Sequence, residues 1–325
     1  MFPARLIAGA FLTSAALSRQ GRTDAMFKRA KEEEALSVSF YQESRNDLKT
    51  ASQDAVTALR ELGETRLKMV GESLCRTAER ILSEPQLTAA LTPAQHEHLV
   101  TVRETGRQAR TLLSYGQAAS PCMLVGVGAF GIANLVKPAA GETFMDWMRQ
   151  RVEESCAIRF LISEEPCATN LPKPSGGFLG VDCEQLTASF MRNTLSREKM
   201  AERKMENAHK NREMTKRAVS SMDKQAQLFS GFAQVANSYR EHMERTDRDN
   251  GILMRRLTPT RIATGDWSPQ LLTWCLDALE LLDELSQRPL VTADGGFHIE
   301  VRPMLARGRA LSKEMSAPQT SDASA

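Results

Sequence analysis

At 325 residues the chain is long enough for two ordinary domains or for one long helical body. Its 42 basic residues nearly cancel its 40 acidic ones, leaving a formal charge of +2, so bulk charge gives no reason to bind nucleic acid. Aromatics at 6% and charged residues at 25% fit narrow apolar seams between helices better than a thick globular core.

Residues 1–23 form an apolar start, in which Leu6, Ile7 and Phe11 belong to a run that closes on Arg19 and Arg22 with no acid before Asp24. As a helix the 13 residues from Leu6 to Ser18 would reach about 20 Å, short of a hydrocarbon core of about 30 Å. Four readings stand: a retained anchor or hairpin arm, a cleaved export signal, an organellar presequence, or plain core.

From about Asp24 to Leu82 proline is absent and glycine scarce, while Leu48, Ala55, Leu62 and Met69 recur at intervals of seven. That spacing predicts a long amphipathic helix with coiled-coil character, its seam interrupted by Ser52 and Arg66. Pro85 ends it, and Thr92 before Pro93 looks like the cap of a second helix reaching about Tyr115, so 24–119 reads as long helices.

Residues 120–137 are apolar and punctuated by glycine, with Gly126, Gly128 and Gly131 around Phe130 and Ile132. The glycines match a dinucleotide-binding spacing, but that loop needs a strand before it and a full helix after it. Here helix lies upstream and Pro138 follows Gly131 closely, so the context argues against a nucleotide-dependent enzyme. The same small residues suit close helix packing, either against a membrane-seated partner or in the core of a soluble bundle. Cys122 to Val136 is 15 residues, about 22 Å of helix, and would need a partner or a shallow placement in a bilayer.

Residues 138–165 hold an amphipathic helix from Gly141 to Phe160, and 166–182 form a proline- and glycine-rich linker. A third long helix is predicted over 183–250, stopping at Asn250-Gly251. Its stretch from Arg197 to Arg217 carries eight Lys or Arg and four Glu, with Met200, Met205, Met214 and alanines as the seam. That stretch reads as a solvated face or as a basic surface for anionic lipid or a partner. Residues 251–315 form a helical C-terminal subdomain: Ser268 caps a helix with a broad leucine face, a turn follows from Arg288 to Phe297, and a last helix spans Glu300 to Met315. Residues 316–325 are small, polar and expected to be disordered.

Chemistry-bearing patterns are thin. The six cysteines show no close pair of the kind that holds zinc or runs a redox cycle, although Cys156, Cys167 and Cys183 allow one disulfide in an oxidising compartment. No Ser, His and Asp order stands out, and Glu32-Glu33-Glu34 reads as a solvated patch. No catalytic, metal-binding or cofactor-binding residue is assigned.

The order of these features resembles a group of bacterial long-helix proteins with a glycine- and alanine-rich apolar centre, often catalogued as chemotaxis proteins. The likeness rests on Leu6-Ile-Ala-Gly-Ala10 leading into a charged helix, on Leu62-Gly63-Glu64 and its continuation to Val70, and on Pro289-Leu290 with Asp294-Gly295. The group's centre is longer, enough for a hairpin of two apolar helices, and the group supplies no catalytic residues.

The expectation is therefore an all-α protein, an elongated bundle or coiled-coil-like stalk with a short glycine-rich segment. It would act as a non-enzymatic, membrane-associated scaffold or interaction protein that self-associates or binds a protein partner, on the bacterial inner membrane or its cytoplasmic face. The alternatives are export after signal cleavage, and a pore-forming protein that hides its glycine-rich run until assembly.

Overall fold

The computed structural model describes residues 3–114, 121–132, 194–265, 267–292 and 301–316. The fold is all-α, as the periodicity predicts, and no strand occurs among the described residues. Helix α1 spans Pro3–Lys68, α2 Cys75–Ser83, α3 Pro85–Ala89, α4 Pro93–Ser114 and α5 Pro121–Phe130. Then come α6 over Thr194–Arg256, α7 over Pro259–Thr264, α8 over Pro269–Gln287 and α9 over Val301–Ser316. The helix expected over 141–160, the linker over 166–182, the residues 183–193 and the tail beyond 316 lie outside the described residues.

The chain divides into two compact units, one of Met1–Ala51 with Ala168–Gln227, the other of Ser52–Cys167 with Leu228–Ala325. In the first, Asp24 pairs with Arg197 at 3.0 Å and Glu33 with Arg212 at 3.2 Å, so α1 and α6 run parallel there. Thr23, Ala30, Ser37, Ser44 and Ala51 are buried at intervals of seven on α1, and Ala201, Ala208, Ala218 and Met222 are buried on α6. Met214, expected in this seam, is 53% exposed. The seven-residue rhythm puts alanine on the inner positions and leaves that methionine outside.

In the second unit the rhythm continues with larger side chains. Leu48 belongs to the row that carries on through Ala55 and Leu62 to Met69, while Phe229, Ala236, Met243 and Asn250 line α6 and Leu257 follows its end. The helix stop expected at Asn250-Gly251 is overridden. Asn250 is 1% exposed and the rhythm runs through it, so burial of Leu253 and Leu257 carries the helix on to Arg256. The true stop is Thr258, which caps α7 by accepting from the Arg261 amide.

The helix expected from 24 to 82 starts earlier and is interrupted. A π segment over Met69–Leu74 inserts an extra residue, and Arg110 of α4 donates its Nε to the Gly71 carbonyl at 3.0 Å. Helix α4 crosses here so closely that a Cβ on Gly106 would lie 2.5 Å from the Cys75 Cβ and 2.7 Å from the Val70 oxygen. Its start is the expected one: Thr92 Oγ1 accepts from the Gln95 amide while Gln95 Oε1 accepts from the Thr92 amide, a reciprocal capping box. Ser268 caps α8 by accepting from the Gln270 amide. Cys75 and Cys275 are free, buried thiols, and burial pushes Cys275 up to about 12.

Overpacking at the crossing should make Gly106→Ala cost about 1–3 kcal/mol in urea unfolding. Gly251→Ala should instead add about 0.5–1 kcal/mol, because it sits inside α6 with nothing within 4 Å of its added Cβ.

Burial, with Arg309 and Arg245 nearby, holds His242 below its ordinary range. The unfolded chain therefore takes up a proton that the folded chain resists, so this group's contribution to stability is lost as pH falls through about 6.5. The thermal midpoint should drop between about pH 7 and 5, and His242→Gln should flatten that part of the profile.

Candidate functional site

The stretch around Leu62, the glycine-rich run and the turn after Arg288 meet at one residue that the seam pattern treats as a flaw. Arg66 is 0% exposed. Its guanidinium donates to the carbonyls of Val127 at 2.9 Å and Gly128 at 3.1 Å, and to that of Arg288 at 2.9 Å. It also stands 5.7 Å from the centre of the Tyr239 ring, and the Tyr239 hydroxyl meets the Met304 sulfur at 3.6 Å.

The geometry has a simple electrostatic cause. Helix α5 ends at Phe130 and α8 at Gln287, and these two carboxyl ends face each other. A Cβ on Gly131 would lie 2.1 Å from the Gln287 oxygen, and the Ile132 amide donates to the Ser286 carbonyl at 3.0 Å. Each helix end carries a partial negative charge and unpaired carbonyls, so bringing two together is unfavourable unless a cation or donors stand between them. Arg66 supplies both. Burial is the chief reason its guanidinium is lowered to about 10, with the Tyr239 ring acting the other way.

Three carbonyls of the last turn of α5 have partners in the junction. Gly131 has a φ of +79 and its amide closes on the Val127 carbonyl at 2.9 Å, a left-handed cap that glycine adopts without strain. The Gly128 carbonyl takes Arg66. The Ala129 carbonyl takes the amides of Leu290 and Val291 at 2.8 and 3.2 Å. The proline-leucine turn is thus the strap that holds the end of α5.

Close approach supplies the second half of the junction. Gly63 of α1 and Gly128 of α5 face each other's helices: an added Cβ would lie 1.9 Å from the Leu124 oxygen in one case and 1.9 Å from the Leu59 oxygen in the other. Glycine at both positions lets the backbones touch. Gly126, Gly128, Phe130, Gly131 and Ile132 are all buried, as are Leu62, Gly63 and Leu290. Glu64 is exposed and pairs with Lys68, and Pro289 is half-buried. Leu6, Ile7 and Phe11 lie in α1, away from this junction in sequence. Asp294 and Gly295 lie outside the described residues.

Sequence reasoning missed Arg66 and Tyr239. The available signal was a charged residue on an otherwise apolar row, three positions after Gly63: a long cation there is either exposed or satisfied by several carbonyls.

Another cluster lines a groove of about 380 Å³ between α4 and α8, where His98 lies 4.0 Å from Asp283. Its acids are largely engaged: Arg307 pairs with Glu280 at 3.5 Å and Glu284 at 3.0 Å, and Gln287 donates to Asp283 at 2.6 Å. Among the described residues no group of three His, Cys, Asp or Glu is placed to hold a metal ion. No helix among them is long and apolar enough to cross a membrane.

Compared with known proteins, the chain matches no family model, no curated protein and no solved structure.

Truncating a buried cation that satisfies three carbonyls should be severe: Arg66→Met should cost about 3–5 kcal/mol in denaturant unfolding. Gly128→Ala should also destabilise, and the double variant should cost clearly less than the sum, because either change undocks α5. Strict additivity would show that the guanidinium and the glycine contact act separately.

Proposed function

We propose that this protein is a non-enzymatic helical scaffold whose long helices form a coiled-coil-like stalk and whose apolar N-terminal run associates it with a membrane surface. What carries the reading is the seven-residue rhythm of buried side chains shared by α1 and α6 over many turns, with the polar chemistry of the Arg66 junction spent on holding helix ends. In this reading the glycine-rich segment is an internal packing element that joins the base of the stalk to the C-terminal helices. Self-association or a protein partner engages the stalk, and neither a cofactor nor nucleic acid takes part. The resemblance to the bacterial long-helix group agrees with this role and adds an inner-membrane or cytoplasmic-face location.

Fractionation tests the membrane element. The full-length protein should sediment with membranes, and a Leu6→Asp/Phe11→Asp variant should move to the soluble fraction with its helicity unchanged. Equal solubility of the two would overturn it.

A second reading, a pore-former that hides its apolar run, has one observation in favour: Val125 to Ile132 is an apolar run packed out of water. Dye release from liposomes separates the two, since a scaffold should bind vesicles without leakage.

A further inference from the structure

The unit formed by the first turns of α1 and α6 carries an apolar groove that its own seam leaves open. Leu36 and Phe40 are 56% and 57% exposed, one turn apart on α1. Together with Val219 they line a groove of about 280 Å³ whose rim holds Glu33, Arg212 and Lys216. The seam beneath is built of Ala30, Ser37, Ser44, Ala201 and Ala208, so this helix pair buries little apolar area of its own. Two large side chains exposed in adjacent turns beside an undersized seam mark a surface that another apolar surface should cover.

Charge identifies the cover. From residue 32 to 44, α1 has four Glu and no Lys or Arg, whereas at the same level α6 has Lys210, Arg212, Lys216 and Arg217 against one acid, Glu213. Glu33 pairs with Arg212 across the groove, while Lys210 pairs with Glu206 and Lys216 with Glu213 within α6. The patch is thus half acidic and half basic around an apolar centre, which is self-complementary.

We propose that this groove is an isologous interface with a second copy of the chain, its two-fold axis parallel to the helices. That orientation lays the acidic stripe of α1 over the basic stripe of α6 in the other copy, twice, with Leu36 and Phe40 entering the partner's groove. A perpendicular axis would instead set α1 on α1 and oppose Glu33 and Glu43 to acids. The inference deepens the scaffold reading by giving its self-association a surface and a direction.

Light scattering of the full chain at micromolar concentration should give twice the 36.0 kDa of one chain. Leu36→Ser/Phe40→Ser should give one chain mass with helicity retained. Glu33→Lys/Glu43→Lys alone and Arg212→Glu/Lys216→Glu alone should each be monomeric, and mixing them should restore a dimer containing both. A wild-type monomer, a serine variant that stays dimeric, or charge variants that fail to recombine would each overturn the proposal. If the serine variant does not fold, the charge variants decide alone. Membrane sedimentation of a wild-type chain that proves monomeric would leave the scaffold reading standing while the interface falls.

Discussion

One buried guanidinium determines how the larger unit is assembled. Two helix carboxyl ends converge at the close of α5 and α8, and neither can turn to water because Gly131 and Ser286 bring the chains into contact. Arg66 resolves the conflict with its charge and three of its donors. A carboxylate partner would neutralise that charge and weaken its hold on the carbonyls. Helix dipoles spread the compensating charge over several peptide groups and keep the guanidinium oriented by geometry.

The rest of the junction follows from that choice. Because Arg66 reaches from α1 to the end of α5, the two helices must cross closely, and Gly63 and Gly128 are the residues that let them. Because α5 ends in a buried position, its last carbonyls need partners, and the turn at Leu290 and Val291 supplies them. Tyr239 closes the side facing α6 with an aromatic face suited to a cation. Residues far apart in the chain thereby serve one requirement, partners for the carbonyls of Val127, Gly128, Ala129 and Ser286 at two buried helix ends.

The smaller unit works by other means. Its seam of alanine and serine permits close approach of α1 and α6 but supplies little hydrophobic stabilisation, and its surface pairs are solvent-exposed and individually weak. Stability in such a pair depends on the length of the repeat and on whatever covers Leu36 and Phe40. The contrast between Ala208 and Phe229 at equivalent positions of one helix explains why the same rhythm yields a firm core in one unit and a thin seam in the other.

Several features were legible in the residues alone. The absence of proline and the return of Leu48, Ala55, Leu62 and Met69 every seven residues determined a long helix, because only an α-helix places that spacing on one face. Thr92 before Pro93 and Ser268 before Pro269 determined two helix starts, because a cap needs only neighbours in sequence. The glycine-rich run could be read as a packing element, since no sheet surrounds it. What the sequence could not settle was where α6 ends and what Arg66 does. Asn250-Gly251 is a stop signal locally and is overruled by the burial of Asn250, Leu253 and Leu257. Arg66 looked like a break in a seam, and only tertiary structure supplies the carbonyls of residues 127, 128 and 288 that make it the centre. Local propensity is written in adjacent residues, whereas a buried charge takes its meaning from partners that only folding brings near.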